Sequence, residues 1–148
     1  MSEIISAEIE RKLAVSLYNR CWSLIESPGS PERDDELERS AFASLFHWSR
    51  VGDAKNLAIG EWMIAHMYLL LGRFGEAERF ARRVIDVCGA NGLEDFHLAY
   101  GYLEMARIER ARGNADSAAD WVARAKAVEI PDAEDREHFD EDLAPDGW

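Results

Sequence analysis

The chain has 148 residues, of which 47% are hydrophobic and 31% charged, and its formal net charge is -12. This length and composition are typical of one globular domain with its own core. Nucleic acid and anionic membrane surfaces do not attract an acidic protein without a local basic patch, so we expect neither as a partner.

The segments expected in exported or membrane proteins are not visible in the sequence. The first residues contain no basic region followed by an apolar run, so no secretory signal is predicted. The longest apolar-rich run, residues 67–71, is too short to span a bilayer. Cys21 and Cys88 lie in apolar segments without CxxC spacing, which predicts buried thiols rather than a zinc site or a redox pair. We therefore expect a cytoplasmic protein.

The spacing of glycines and prolines predicts an all-α fold. No segment alternates apolar and polar residues for long enough to form a strand, and no proline occurs between residues 32 and 130. The predicted helices are 3–26, 32–51, 54–71, 74–89, 95–112 and 115–129, followed by a short helix near 132–143. Predicted N-caps are Ser30, Asp53, Asp95 and Asn114, and glycines suited to helix C-termini are Gly29, Gly52, Gly72, Gly89, Gly92 and Gly113.

The third predicted helix differs in polarity from the others. The first, second, fourth and sixth helices each carry one apolar stripe, as outer helices do. Between residues 57 and 71, in contrast, the only charged or strongly polar side chains are Glu61 and His66. A helix that is apolar nearly all round is normally buried on most sides, so this helix is predicted to be the central one.

An internal repeat relates the third and fourth predicted helices to the fifth and sixth. A shift of 41 residues aligns 57–87 with 98–128, so that small residues match small residues and glycines match glycines. The matched pairs include Leu57 with Leu98, Ala58 with Ala99, Gly60 with Gly101, Ala65 with Ala106, Gly72 with Gly113 and Ala77 with Ala118. Such a repeat is typical of helical hairpins that bury their apolar faces by stacking on neighbours.

The stretch "GEWMIAHMYLLLGRFGEAERFARRVIDV", residues 60–87, resembles a tetratricopeptide repeat. The resemblance rests on Ala65 and Tyr68 in the first helix, Gly72 at the turn and Ala77 in the second helix. The 41-residue offset is longer than the period of about 34 residues usual in this family, and HEAT-type hairpins, with periods of about 40–47 residues, are the alternative. The resemblance implies a single domain, residues 1–148, folded as an α-α superhelix of three hairpins. Hairpins 54–89 and 95–129 are the repeated ones, 3–51 is a divergent first hairpin, and 132–143 is a C-terminal capping helix.

The resemblance also implies where a partner binds, because the first helix of each such hairpin lines a concave groove. The groove positions carried over to this chain are Ile59, Trp62, His66 and Leu69, and then Tyr100, Leu103, Arg107 and Arg110. Trp62 and His66 are four residues apart and therefore share a helix face. Two guanidinium groups beside an aromatic wall favour a peptide partner with acidic groups, or a small anion. The other interpretation is that Arg107 and Arg110 are ordinary charges paired with Glu104 or Glu109.

The histidines and Glu61 suggest a second possible site. Glu61 and His66 are five residues apart and diverge around the helix, so they do not form a two-ligand metal motif. His97 and His66 are predicted to lie too far apart to share a metal. His47 on the preceding helix could pair with Glu61 in a buried polar cluster, and His66 with Tyr18 or Tyr68. No nucleophile motif, phosphate loop or cofactor signature is present, so neither a catalytic site, a metal nor a cofactor is expected.

The sequence leaves three functional hypotheses. The first is a non-enzymatic interaction module that binds a protein or peptide partner in its groove. The second is a small-molecule binder or enzyme that uses a buried cluster of His47, Glu61, Trp62 and His66. The third is a homodimer that uses an exposed helix face. The acidic tail after Asp132 is predicted either to cap the last hairpin through Phe139 and Leu143 or to enter the basic groove of a neighbour.

Overall fold

The computed structural model describes residues 5–148, and in this part of the chain the all-α prediction is confirmed: the chain is 82% helical and has no strands. The α-helices are α1 Ala7–Ile25, α2 Pro31–Val51, α3 Ala54–Leu70, α4 Phe74–Asn91, α5 Phe96–Ala111, α6 Ala115–Ala127 and α7 Ala133–Leu143, followed by a 3-10 turn, Ala144–Asp146. None of the described helices combines the length and apolarity needed to cross a membrane.

Side-chain caps fix most of the predicted helix starts. Ser30 Oγ accepts a hydrogen bond from the Arg33 amide at 3.0 Å. Asp53 and Asn56 form a reciprocal capping box at the start of α3, which satisfies two otherwise unpaired amides. Asn114 departs from the prediction because its side chain makes no cap hydrogen bond and donates instead to Glu109 Oε2 at 3.2 Å.

The glycine turns of the second and third hairpins are built in the same way. Gly72 and Gly113 have φ of 76° and 86°, in the left-handed region that favours glycine. Each is followed by a residue whose amide donates to the carbonyl five positions earlier, Arg73 to Tyr68 and Asn114 to Glu109, both at 2.9 Å. The predicted stop at Gly89 is wrong: α4 continues to Asn91 and ends at Gly92, whose φ is 66°.

The helices form three successive antiparallel hairpins, α1 with α2, α3 with α4 and α5 with α6. Each hairpin contacts only its sequence neighbours, and α7 packs on α5. The central position predicted for the third helix agrees with the contacts of α3, which touches α1, α2, α4 and α5. The first helices α1, α3 and α5 therefore lie side by side, and α7 extends this row at its end.

Two matched glycines allow each repeated hairpin to approach the preceding one closely. A Cβ added to Gly60 would lie 2.9 Å from Leu45 Cδ1 on α2, and one added to Gly101 would lie 3.1 Å from Val84 Cγ1 on α4. Both distances are below ordinary van der Waals contact. The repeat of glycine at these positions thus has a packing cause, since a side chain there pushes against the preceding helix.

Cys21 and Cys88 are fully buried and unpaired, as the sequence predicts. Loss of hydration on burial raises the pKa of each thiol to about 11. At pH 8 only about 0.1% of either thiol is then ionised, and the thiolate is the reactive form. We expect no labelling by a thiol-specific disulfide reagent in the folded protein and complete labelling of both cysteines in denaturant. Rapid labelling under native conditions would contradict this burial.

Candidate functional site

A cavity of about 360 Å³ opens on the row of first helices. It is within the range of about 300–1,000 Å³ that is usual for ligand pockets. Its lining comes from α1, α3, α4, α5 and α7, namely Tyr18, Trp22, Ala58, Ile59, Trp62, His66, Val84, Phe96, His97, Tyr100, Arg107 and Asp142. The side chains of successive hairpins therefore converge on one site, which we call the aromatic cavity.

Half-buried rings from three helices form the walls of the aromatic cavity. Trp62 stacks on His66 with ring centroids 4.7 Å apart and planes inclined by 13°. Trp22 from α1 lies 6.0 Å from Trp62, and Tyr100 from α5 meets Trp62 edge-on at 6.4 Å. These separations are those of favourable aromatic pairs, so the rings hold one another in position across the three hairpins.

A buried carboxylate lies behind the aromatic wall and joins α3 to α5. Glu104 is fully buried, and its Oε2 lies 2.7 Å from His66 Nδ1. Its other oxygen, Oε1, accepts a hydrogen bond from Arg107 Nη1 at 3.0 Å. Both oxygens of this charge are thus satisfied, as burial of a carboxylate requires. The Glu104 carboxylate fixes the orientation of one imidazole and one guanidinium of the lining.

The C-terminal segment closes one end of the cavity. Tyr100 Oη donates to Asp142 Oδ2, and Arg107 Nε donates to Asp146 Oδ2 at 2.9 Å. Arg110 donates to the Asp146 carbonyl and lies over the Trp148 ring, 4.3 Å from its centroid. Loss of hydration, followed by the hydrogen bond to Asp142, raises the pKa of Tyr100. The chain's own acidic tail therefore occupies the two arginines that the sequence offers to a partner.

The structure brings five predicted groove residues together and separates three others. Ile59, Trp62, His66, Tyr100 and Arg107 all line the aromatic cavity. Leu103 is fully buried and packs in a core cluster with Phe139, and Leu69 packs against the central core. Arg110 lies outside the lining, on the tail side, with its side chain 49% exposed.

The predicted pairing of His47 with Glu61 does not occur. His47 Nδ1 lies 3.1 Å from Glu10 Oε2, and Arg50 Nε donates to Glu10 Oε1 at 2.6 Å. The hydrogen bonds from Arg50 and then His47 lower the pKa of Glu10. Glu61 pairs instead with Arg83 on α4, at 2.9 Å. Each residue thus joins the two helices of its own hairpin, and neither lines the cavity.

His66 has a different partner from those predicted, because Glu104 takes the place of Tyr18 and Tyr68. Tyr68 Oη donates to Glu38 Oε2 at 2.7 Å on another side of α3. His97 Nδ1 lies 3.2 Å from Asp95 Oδ1, and His138 is exposed on α7. Among residues 5–148, no group of three or more His, Cys, Asp or Glu side chains is placed to hold a metal ion.

The groove predicted from the sequence did not include the lining residues of α1, α4 and α7, although Tyr18 of α1 was predicted as a neighbour of His66. Tyr18 and Trp22 are four residues apart, the same spacing as Trp62 and His66 on α3. That spacing is the signal that could have placed them on the same face, because residues four apart share a helix side. Asp142 had no comparable signal, since it is one of eight acidic residues that follow Pro131.

Comparisons of this chain with family models, curated proteins and solved structures found no match. We therefore infer function from the geometry of the aromatic cavity. The described residues that line it include no serine, threonine or cysteine that could act as an activated nucleophile beside His66. The lining combines aromatic rings with the imidazoles of His66 and His97, the guanidinium of Arg107 and one exposed carboxylate, that of Asp142.

Proposed function

We propose that this protein is a non-enzymatic binding module that receives a side chain of a peptide or protein partner in the aromatic cavity. The observation that carries this proposal is the convergence of half-buried rings from α1, α3 and α5 on one opening. Aromatic surface that stays accessible in a folded chain is typical of binding sites, because large rings contribute strongly when a partner covers them.

The helix arrangement supports a tetratricopeptide-like superhelix as the scaffold of this module. The two glycine turns recur 41 residues apart with the same hydrogen bonds, and each hairpin contacts only its neighbours. The cavity lies on the first helices of the hairpins, where the resemblance places a partner groove. We propose that α7 is the end cap of this array, through the buried side chains of Phe139 and Leu143.

The two other hypotheses from the sequence have less support. The cluster of His47 and Glu61 proposed for a small-molecule site does not form, because these residues belong to separate ion pairs. The hypothesis that remains is that a small molecule binds in the aromatic cavity. Homodimerisation stays a prediction, for which exposed Ile9 and Leu13, one turn apart on α1, offer an apolar face.

A substitution that fills the cavity tests the proposal. Ile59 lines the cavity and is half-buried, so Ile59→Arg places a long charged side chain in the opening without removing a fully buried group. We expect peptides selected from a random displayed library on the wild-type protein to bind this variant at least about tenfold more weakly. Binding is measured by fluorescence anisotropy of the labelled peptides.

Leu70→Arg is the matched control, since Leu70 lies on the same helix, is 50% exposed and does not line the cavity. Circular dichroism establishes that both variants keep the helical fold. We expect Leu70→Arg to bind the selected peptides as the wild type does. Equal binding by a folded Ile59→Arg variant, or failure to select any peptide, would overturn the proposed function.

A further inference from the structure

We infer that the group received by the aromatic cavity is a cation, the lysine or arginine side chain of a basic peptide segment. This inference rests on the proposed function and names its ligand class. The charge of this ligand is opposite to that of the acidic partner that the sequence favours through Arg107 and Arg110. Three observations carry the inference: Arg107 and Arg110 are already paired, the walls of the cavity are aromatic, and its rim carries a carboxylate.

The guanidinium groups that would attract an acidic partner are already engaged. Arg107 donates through Nε to Asp146 and through Nη1 to Glu104, and its Nη2 lies 3.5 Å from the Asp142 carbonyl oxygen. Its side chain is only 18% exposed. Arg110 is held by Asp146 and stacks over Trp148. An acidic ligand must therefore compete with Asp146 for Arg107 and Arg110, whereas a basic ligand need not.

The remaining surface of the cavity is suited to a positive charge. The faces of Trp22, Trp62 and Tyr100 carry the negative side of the ring quadrupole, which attracts ammonium and guanidinium groups. Asp142 is exposed at the rim, and Tyr100 donates to its Oδ2. No hydrogen bond to the other oxygen, Oδ1, occurs within residues 5–148. A cation between the rings can thus meet this carboxylate without breaking an existing contact.

The charge near the aromatic cavity and the net charge of the chain are both negative. Arg107 and Arg110 contribute two formal positive charges, against three negative charges from Glu104, Asp142 and Asp146. His66, which pairs with Glu104, and His97 also line the cavity. With both histidines counted as neutral, this end of the cavity carries more negative than positive formal charge even with both arginines present. The chain as a whole has a formal net charge of -12, so its field steers basic segments towards the protein and acidic ones away.

Three matched peptides test the inference. Each is a capped pentapeptide, Ac-Gly-Gly-X-Gly-Gly-NH2, in which X is lysine, norleucine or glutamate. Norleucine keeps the aliphatic stem of lysine and removes the charge. Titrations are followed by the indole N–H signals of the full chain in proton–nitrogen NMR spectra. We expect the lysine peptide to shift the signals of Trp22 and Trp62, with norleucine binding about tenfold more weakly and glutamate not binding.

Asp142→Asn identifies the carboxylate contribution. The amide oxygen can still accept from Tyr100, so the wall remains in place while the charge is removed. We expect the lysine peptide to bind this variant about fivefold to tenfold more weakly and the norleucine peptide to bind it unchanged. Glu141→Gln is the control, because Glu141 is the adjacent residue, is 64% exposed and does not line the cavity.

The outcomes separate the inference from the proposed function. Equal binding of the lysine and norleucine peptides overturns the cationic ligand and leaves an apolar binding module. Preference for the glutamate peptide also overturns it and indicates an acidic partner that displaces the tail. Library-selected peptides that lose binding in Ile59→Arg but contain no basic residue would also overturn the cationic ligand. Charge-dependent binding that is lost in Asp142→Asn and kept in Glu141→Gln supports it.

Discussion

Replacement of Glu104 by alanine is expected to lower the free energy of unfolding by about 3–5 kcal/mol, the cost of breaking a buried ion pair. Glu104 is fully buried, and its two oxygens hold His66 on α3 and Arg107 on α5. Removing the carboxylate leaves the mostly buried Arg107 side chain with one acidic partner fewer and creates a void. Urea denaturation followed by circular dichroism measures the change.

Two comparisons separate this effect from a general loss of charge. Glu104→Gln keeps the shape and one acceptor, so we expect a smaller destabilisation than with alanine. Glu8→Ala removes an exposed carboxylate paired with Lys12 on α1 and should change stability by less than about 0.5 kcal/mol. A Glu104→Ala variant as stable as the wild type would mean that the buried cluster makes no net contribution to folding.

Replacement of Phe139 by alanine is the second change with a large expected effect, about 3–5 kcal/mol for loss of a fully buried aromatic ring. Phe139 is fully buried, and its ring meets Tyr100 edge-on at 5.1 Å. Because α7 packs on α5 alone among the hairpin helices, we expect the loss to appear first as release of the C-terminal segment. Hydrogen exchange resolved along the chain measures this release.

His138→Ala is the matched control for Phe139→Ala, since the adjacent His138 side chain is 68% exposed. It should leave exchange in α7 unchanged. Release of α7 also frees Arg107 and Arg110 from Asp146, so the Phe139→Ala variant is expected to gain affinity for the glutamate pentapeptide. Slow exchange in α7 of a folded Phe139→Ala variant would show that other contacts hold the tail.

The helices could be predicted because their signals are local in the sequence. Ser30 and Asp53 cap helices through side chains three residues from the amides that they satisfy, and Gly72 ends a helix through its own φ. Gly89 misled the prediction because glycine also occurs inside helices, where it costs only about 1 kcal/mol relative to alanine. Gly92, three residues later, is the glycine with a left-handed backbone.

The site could be predicted only in part because partners that are distant in the sequence decide it. Helix spacing places Trp62 and His66 on one face, and both line the cavity. The sequence around Glu61 does not show whether its partner is Arg83 or His47. Both candidate partners lie on helices adjacent to α3, so either could reach the Glu61 carboxylate. The pairing of Arg107 and Arg110 with Asp146 depends on how α7 and the residues after it pack against α5. The 41-residue repeat does not predict this packing, because α7 lies outside the repeated hairpins.

Each hairpin contacts only the hairpins next to it in the sequence, and this affects how the chain folds. α1 and α2 make no contact with α5 or α6, so the described contacts never join segments more than one hairpin apart. Chains with such local contacts close only short loops and tend to fold rapidly. The hairpin of α3 and α4 is the only one that touches both others. We therefore expect that structure formed in this hairpin can spread to either end of the chain, because each neighbouring hairpin packs directly on it.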